Sequence, residues 1–445
     1  MKHFKYTLTL GLTIFAVMFG AGNIILPPAV GYFAGGHFFV AILAFIFTSA
    51  GFAAIGICSM ALQKNNFLDI TKKIHPKAHL FLLTAVVIII GPLFAGPRTA
   101  IITNELFVNE LVNSSNILVY AVSSFIFFFL TAYVLLSGTN IVDIIGKYLT
   151  PALLLLMIVL IGGTIVADNP LKQTGVDLST AFIKGSEIGY FTVDGLGYVI
   201  IATISIRAIL TEKSMKHFDK TMVLMRSVLI ALFLIALVYL GLGYMGAAST
   251  LEAINGVSPD GITILNHSIS SIFGKFGNII FGLAVALACL TTSIGLMANT
   301  SSFFASNSRI NQKTWVYVFT IISYVVSLLP LDRLTTYIGP ILMLLVPPAM
   351  CIAFLGYINR KVRKRRTIIV PFVVSVVMGV LAMLCDFIPE LKDALKVLPF
   401  AKYGFPWLGV VLAAIFIMMA VELMSENDSI YEEYNDEYKS LKATD

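Results

Sequence analysis

The chain has 445 residues, 58% hydrophobic and 12% charged, with a formal charge of +6, and its mean hydropathy is +0.91. Soluble domains are about 45–50% apolar and about 25% charged, so this chain has too little polar surface to clothe a water-soluble body. Short alternating segments of the kind that build a membrane β-barrel do not occur, and the expectation is an all-α polytopic membrane protein.

About 20 helical residues cross the roughly 30 Å hydrocarbon core. By that measure the chain carries about twelve spans. The first covers 7–33; its apolar run is too long for a signal peptide and shows no clear cleavage site. It contains Gly20, Ala21, Gly22 and Asn23, followed by Pro27 and Pro28. The second span, 38–62, leads into a loop with Lys64, Lys72, Lys73 and Lys77. The third, 78–104, holds Arg98 within a Gly- and Pro-rich stretch at 91–98. Spans four and five, 116–137 and 143–166, carry little punctuation. Span six, 188–206, contains Gly189-Tyr190-Phe191-Thr192-Val193-Asp194-Gly195-Leu196-Gly197. Arg207, Lys213, Lys216, Lys220 and Arg226 surround the connection to span seven, 222–246. Span eight, 276–303, includes Ala288, Thr291 and Thr292. Spans nine to twelve cover 314–330, 335–358, 367–385 and 404–424, with Arg360, Lys361, Arg363, Lys364, Arg365 and Arg366 between ten and eleven.

These basic loops fall on the same side as Lys2 and Lys5, and the opposite loops are poor in Lys and Arg. The positive-inside rule then puts both termini in the cytoplasm. The tail at 425–445 is acidic and reads as a solvated segment. Cys58, Cys289, Cys351 and Cys385 lie in or at the ends of apolar runs, with no metal-type spacing and no disulfide framework.

Glycine costs a helix about 1 kcal/mol and proline about 3 relative to alanine. The clusters in spans one and six therefore predict unwound backbone, which hydrocarbon tolerates only where it is buried in protein or lines a cavity. The two breaks lie five spans apart, and that odd spacing inverts the second unit relative to the first. This is the pattern of an inverted repeat with its site between the broken helices. The expected division is 1–166 for helices one to five, 167–358 for helices six to ten, 359–424 for two further helices, and the 425–445 tail.

An amino acid zwitterion needs an anion site and a cation site close together. Free amides and the dipole at the start of the outer half of span one suit a carboxylate, and Gly20, Ala21 and Gly22 are small enough for a ligand to approach. Thr291 and Thr292 offer hydroxyls to a cation, unless they bond back to their own helix. A charge within a span is functional or paired. Asp194, inside the second break, reads as functional. Arg98 reads either as structural, paired with Glu105 or an acid on another span, or as reaching a polar vestibule. Tyr190 and Phe191 are candidates for an apolar pocket wall, or for lipid or core contacts.

Gly11–Pro28, GLTIFAVMFGAGNIILPP, together with GPLFAGPRTA at 91–100, GYFTVDGLG at 189–197 and ALACLTTSIGL at 286–296, resembles the branched-chain amino acid:cation symporter family, the BrnQ-type carriers, over nearly the whole chain. The resemblance implies a LeuT-like 5+5 inverted repeat and sodium-coupled uptake of leucine, isoleucine and valine. It implies that amides near Gly20 and Gly22 hold the substrate carboxylate, with Asn23, Phe191, Thr192 and Asp194 around the substrate. It also implies a sodium site from the carbonyls of Ala16 and Phe19 with Ala288, Thr291 and Thr292. Asp194 departs from the LeuT pattern, which has serine there. The arginine that follows the first break in those symporters is Leu26 here.

Two alternatives stay open: a proton-coupled permease of the same fold with Asp194 titrating, and a channel. No P-loop, His-Glu-x-x-His, nucleophile elbow or Cys-x-x-Cys motif is present, so neither ATP-driven nor enzymatic chemistry is expected. No cofactor is expected beyond sodium as coupling ion. The 360–366 basic run marks topology, with lipid contact and no nucleic acid. The expected location is the bacterial inner membrane.

Overall fold

The computed structural model describes residues 2–62, 70, 73–74, 78–112, 116–137, 141–210, 217–253, 258–359, 362 and 364–424. Lys64, Lys72, Lys77, Lys213, Lys216, Arg360, Lys361, Arg363 and the 425–445 tail lie outside the described residues.

Apolar runs without internal polar periodicity give helices that bury backbone polar groups in hydrocarbon. The helices are α1 (Lys2–Met18), α2 (Ala21–Ala34), α3 (Phe38–Ile46), α4 (Phe52–Leu62), α5 (Ala78–Ile88), α6 (Ala95–Thr103), α7 (Asn109–Val112), α8 (Ile117–Ser137), α9 (Ile141–Val166), α10 (Leu178–Tyr190) and α11 (Asp194–Leu210). They continue with α12 (His217–Ala247), α13 (Gly261–Ser306), α14 (Gln312–Val326), α15 (Leu331–Ile358), α16 (Arg366–Leu384), α17 (Pro389–Leu395) and α18 (Pro406–Met424). Among the described residues, eight helical stretches are long and apolar enough to cross a membrane, with Tyr6–Met18 and Pro151–Val166 as shorter apolar helices.

Each expected span coincides with one of these helices or a broken pair. Span six starts earlier than its apolar run suggested, because Asp177 caps α10 by accepting from the amides of Ser179 and Thr180. Span eight is the latter part of α13, which kinks at Gly274, where φ is +66°. That backbone suits glycine.

The packing follows the repeat. Span one, α1 with α2, lies on α12, and its counterpart in the second unit, α10, lies on α3. The bundle of spans one, two, six and seven is thus made by reciprocal contacts. Spans three and eight meet through α6 and α13. After the tenth span, α16 packs on α15 and α18 on α16, an appendage to the ten-helix unit. Phe125, Ile126 and Phe129 stand exposed on α8, the expected surface for lipid tails.

Span three is irregular where Pro92 removes a helical donor. A π-helical turn at Ile89–Leu93 precedes α6 and another, Asn104–Val108, follows it. Such turns often mark functional sites.

Candidate functional site

The first break is shorter than its glycines and prolines suggested. Only Phe19 and Gly20 separate α1 from α2, and Gly20 is extended at φ −97°, ψ −176°. Ala21, Gly22 and Asn23 already belong to α2; the Asn23 amide bonds back to Gly20 O at 3.0 Å, while those of Ala21 and Gly22, at the helix start, lack helical acceptors. Pro27 and Pro28 sit inside α2 and do not end it.

The second break comprises Phe191, Thr192 and Val193. Its left-handed position, φ +68°, is held by Val193 and not by glycine, at a cost of roughly 1–3 kcal/mol for such a backbone. The flanking bonds hold it there: the Val193 amide donates to Tyr190 O at 3.1 Å, and the Val193 carbonyl accepts from the amides of Leu196 and Gly197. Gly189 lies within α10, where a Cβ would fall 1.9 Å from Thr48 Oγ1. Gly195 and Gly197 lie within α11. These three glycines serve helix packing or lie in regular helix, and do not form the break.

One side chain joins the two breaks. Asn23 Nδ2 donates to Met18 O at 2.8 Å, satisfying a terminal carbonyl of α1, and to Asp194 Oδ2 at 2.9 Å. Tyr239 of α12 also donates to Asp194 Oδ2, at 3.4 Å. Asn23 and Asp194 are almost fully buried.

Arg98 reaches this same place. Its Nη1 donates to Phe191 O at 2.5 Å and its Nη2 to Thr192 O at 3.4 Å, and its guanidinium lies 4.7 Å from the centre of the Phe94 ring. Glu105 is not its partner; Arg98 is held by the carbonyls of the second break and lines the cavity together with Asp194. The guanidinium also covers Gly22: a Cβ there would lie 2.5 Å from Arg98 Cζ. Sequence reasoning placed a ligand's approach at Gly22, whereas a protein cation occupies that face. The clue available in the sequence was the charge itself, in a span, beside Gly91, Pro92, Gly96 and Pro97.

A cavity of about 410 Å³ adjoins the breaks, within the range of about 300–1,000 Å³ usual for small-molecule sites. Gly20, Asn23, Arg98, Thr192 and Asp194 line it, as do Ala16, Thr291 and Thr292. Gly22, Phe19, Phe191 and Ala288 do not. Phe19 is buried and stacks on Phe15 at 5.1 Å, and Phe191 packs towards Gly339 of α15. The backbone of Ala21 is in the first turn of α2, and its side chain lies outside the described residues. The hydroxyls of Thr291 and Thr292 both donate to Ala288 O, at 2.8 and 2.9 Å. The pair thus bonds back to its own helix, the alternative the sequence left open, and each hydroxyl oxygen keeps lone pairs that can still accept. Gly20 faces Thr292, which is 3.7 Å from the place of a Cβ, so the first break and the threonine pair adjoin.

The cavity runs from the breaks towards the N-terminal end of α1 and the C-terminal end of α11, past Thr13, Val17, Ile200 and Asn299. The opposite end is shut. Cβ atoms on Gly31, Gly246 and Gly261 would lie 1.8, 1.9 and 1.7 Å from the carbonyl oxygens of Gly243, Pro28 and Ile25, so α2 meets α12 and α13 backbone to backbone. Lys172 ties the same end, donating to Tyr32 OH and Leu251 O.

Two broken helices facing each other over an internal cavity are the arrangement of the LeuT-like fold. The inward-facing conformation of Mhp1 superposes with a TM-score of 0.51 at 14% identity, over 96% of this chain and 94% of that one. A manganese transporter of Eremococcus coleocola gives 0.51 at 12% identity, over 93% and 94%. The model of a family described as branched-chain amino acid transport protein matches residues 3–425. A Staphylococcus aureus (strain MRSA252) protein, provisionally named a branched-chain amino acid carrier, is 29% identical over 440 residues, 96% of this chain and 98% of that protein. A similarly named Staphylococcus haemolyticus (strain JCSC1435) protein is 30% identical over 441 residues, with the same coverage. The chain belongs to the branched-chain amino acid transport protein family.

Proposed function

We propose that the protein is a sodium-coupled symporter that takes up leucine, isoleucine and valine by alternating access across a bacterial inner membrane. The observation that carries this reading is the convergence of both helix breaks and the Thr291–Thr292 pair on one cavity. Substrate sits between the breaks, with its ammonium towards Asp194 and its carboxylate at the first turn of α2. The apolar wall formed by Ile90, Ile200 and Ile201 accepts a branched aliphatic side chain. Sodium takes the Thr291 and Thr292 hydroxyl oxygens with the carbonyl of Ala16, which lines the same cavity; Phe19 and Ala288, the other expected ligands, stand off the cavity, and Ala288 O already accepts from both threonines. With both termini in the cytoplasm, the cavity faces inward and the outer closure is the contact of α2 with the start of α13, outside the bundle, where Gly261 meets Ile25 O.

Coupling follows from linkage, since each ligand raises the other's affinity by favouring the same conformation. Leucine counterflow in proteoliposomes tests the reading: accumulation that requires sodium supports it. The proton-coupled alternative draws on a specific observation, the burial of Asp194 against the Tyr239 hydroxyl. Sodium-independent uptake driven by an imposed proton gradient would establish that alternative in its place. A channel would equilibrate leucine and not concentrate it.

A further inference from the structure

Arg98 has more hydrogen-bonding capacity than the protein uses. A guanidinium presents five N–H donors in a rigid fork and cannot be deprotonated in proteins. Here Phe191 O and Thr192 O take two of them, and the buried Nε has no acceptor. An unpaired buried donor costs roughly 1–3 kcal/mol, so its persistence in a side chain only 5% exposed calls for a partner. Asp194 is not that partner. Its carboxylate is held by Asn23 and Tyr239, and no ion pair to Arg98 is formed among the described residues. The charge therefore sits in a low-dielectric cavity wall without a contacting anion.

Its position fixes what would complete it. The guanidinium is wedged between Gly22 at the start of α2 and the terminal carbonyls of α10. Its attachment to those carbonyls occupies acceptors that a free cation would otherwise use at the second break. An anion meeting this group would also meet the positive end of the α2 dipole. Carboxylates suit the fork because two parallel N–H···O bonds form at once.

We propose that the Arg98 guanidinium, held between Gly22 and the carbonyls of Phe191 and Thr192, is the anion site that receives the carboxylate of the transported amino acid. This rests on the amino acid transport reading above and reassigns the main carboxylate contact from bare amides of α2 to a side chain of span three. Arg98 and Asp194 then form the two poles of a zwitterion site.

The test compares leucine with leucinamide, which keeps the ammonium and the side chain but lacks the anionic carboxylate. Binding of each to purified protein is measured by competition in saturating sodium. Wild type is expected to prefer leucine by about 30-fold or more, the scale of a hydrogen bond to a charged group. Arg98→Gln is expected to erase that preference by weakening leucine to near the leucinamide level. Equal weakening of both ligands in Arg98→Gln would show that Arg98 only shapes the break, and would overturn the proposal. Equal binding of both ligands by the wild type would overturn it without any variant. Should Arg98→Gln not be recovered folded, Gly22→Ala displaces the guanidinium at its flexible end and is expected to narrow the preference; an unchanged preference there counts against the proposal. Absence of leucine binding by the wild type, with or without sodium, would instead overturn the transport reading on which this rests.

Discussion

Replacing Asp194 by asparagine removes a charge from the site while keeping its size. The carboxylate accepts from Asn23 Nδ2 at 2.9 Å and from Tyr239 OH at 3.4 Å. The asparagine carbonyl can keep these contacts, so the link between the two breaks survives. What is lost is attraction for a bound cation. A unit charge pair at 4 Å is worth about 4 kcal/mol at an effective dielectric of 20. Desolvation of a substrate ammonium offsets part of this, and a net loss of about 2–3 kcal/mol corresponds to about 30- to 140-fold weaker binding. Folding should persist, since the change takes a formal charge out of a buried site and creates none. The assay is equilibrium binding of radiolabelled leucine to purified protein between pH 6 and 8, with thermal unfolding measured on the same samples. The expected result is an unfolding temperature at or above wild type together with the stated loss of affinity and of uptake. Wild-type binding and uptake in Asp194→Asn would refute the reasoning and leave the carboxylate a structural role. Sodium-independent, proton-driven uptake in the wild type that the variant lacks would point to titration of Asp194.

Thr291→Val with Thr292→Ala removes both hydroxyls facing the cavity. Half-maximal leucine uptake should then need at least about tenfold more sodium, a loss of about 1.4 kcal/mol or more, in a protein that still purifies; an unchanged sodium dependence would remove the threonines from the ion site. Gly22→Val places its Cβ on the Arg98 guanidinium, 2.5 Å from Cζ, and should abolish leucine binding with expression retained, as checked by scintillation proximity. Normal binding would make this glycine a packing residue. Gly246→Val sets a side chain against Pro28 O at 1.9 Å. Overpacking of this kind costs about 1–3 kcal/mol, so the detergent-solubilised protein should unfold several degrees lower, and an unaltered melting curve would show that α2 and α12 are not so closely apposed.

The spans were legible because each is a long apolar run, a signal that hydrocarbon imposes directly on composition. Span six was the partial exception. Its polar N-terminal half, Leu178–Glu187, is defined by the Asp177 cap and carries no apolar run. Both breaks were placed correctly, but for reasons that needed refinement. Glycine marks either freedom of the backbone or closeness of a neighbour, and sequence does not distinguish these. Gly22 and Gly189 do the second, and Gly20, though it lies in the break, has an extended backbone open to any residue. Val193 shows the converse, a left-handed residue that no composition rule would select. The prolines of α2 were similarly ambiguous, since a helix packed by neighbours keeps them in its interior. Arg98 was visible as a charge out of place, yet its contacts lie 93 and 94 positions away in sequence, and no local pattern reports such a pairing. Leu26 stands in place of the arginine of related symporters, and the structure closes this end with Gly261 against Ile25 O and with Lys172 bonded to Tyr32 OH and Leu251 O.

A closure made of peptide groups has an electrical consequence. Parting α2 from α13 at Gly261 breaks no pair of opposite charges, and Lys172, which ties the same end, is bonded there to neutral oxygens of Tyr32 and Leu251. Each elementary charge moved across 100 mV changes the energy by about 2.3 kcal/mol, and these backbone contacts supply none. The membrane potential therefore acts on this transporter through the charged groups of the central cavity, such as Arg98 and Asp194. Voltage should set how readily the site loads and unloads, while the parting of the helices at this seam proceeds at a rate that temperature and lipid packing govern.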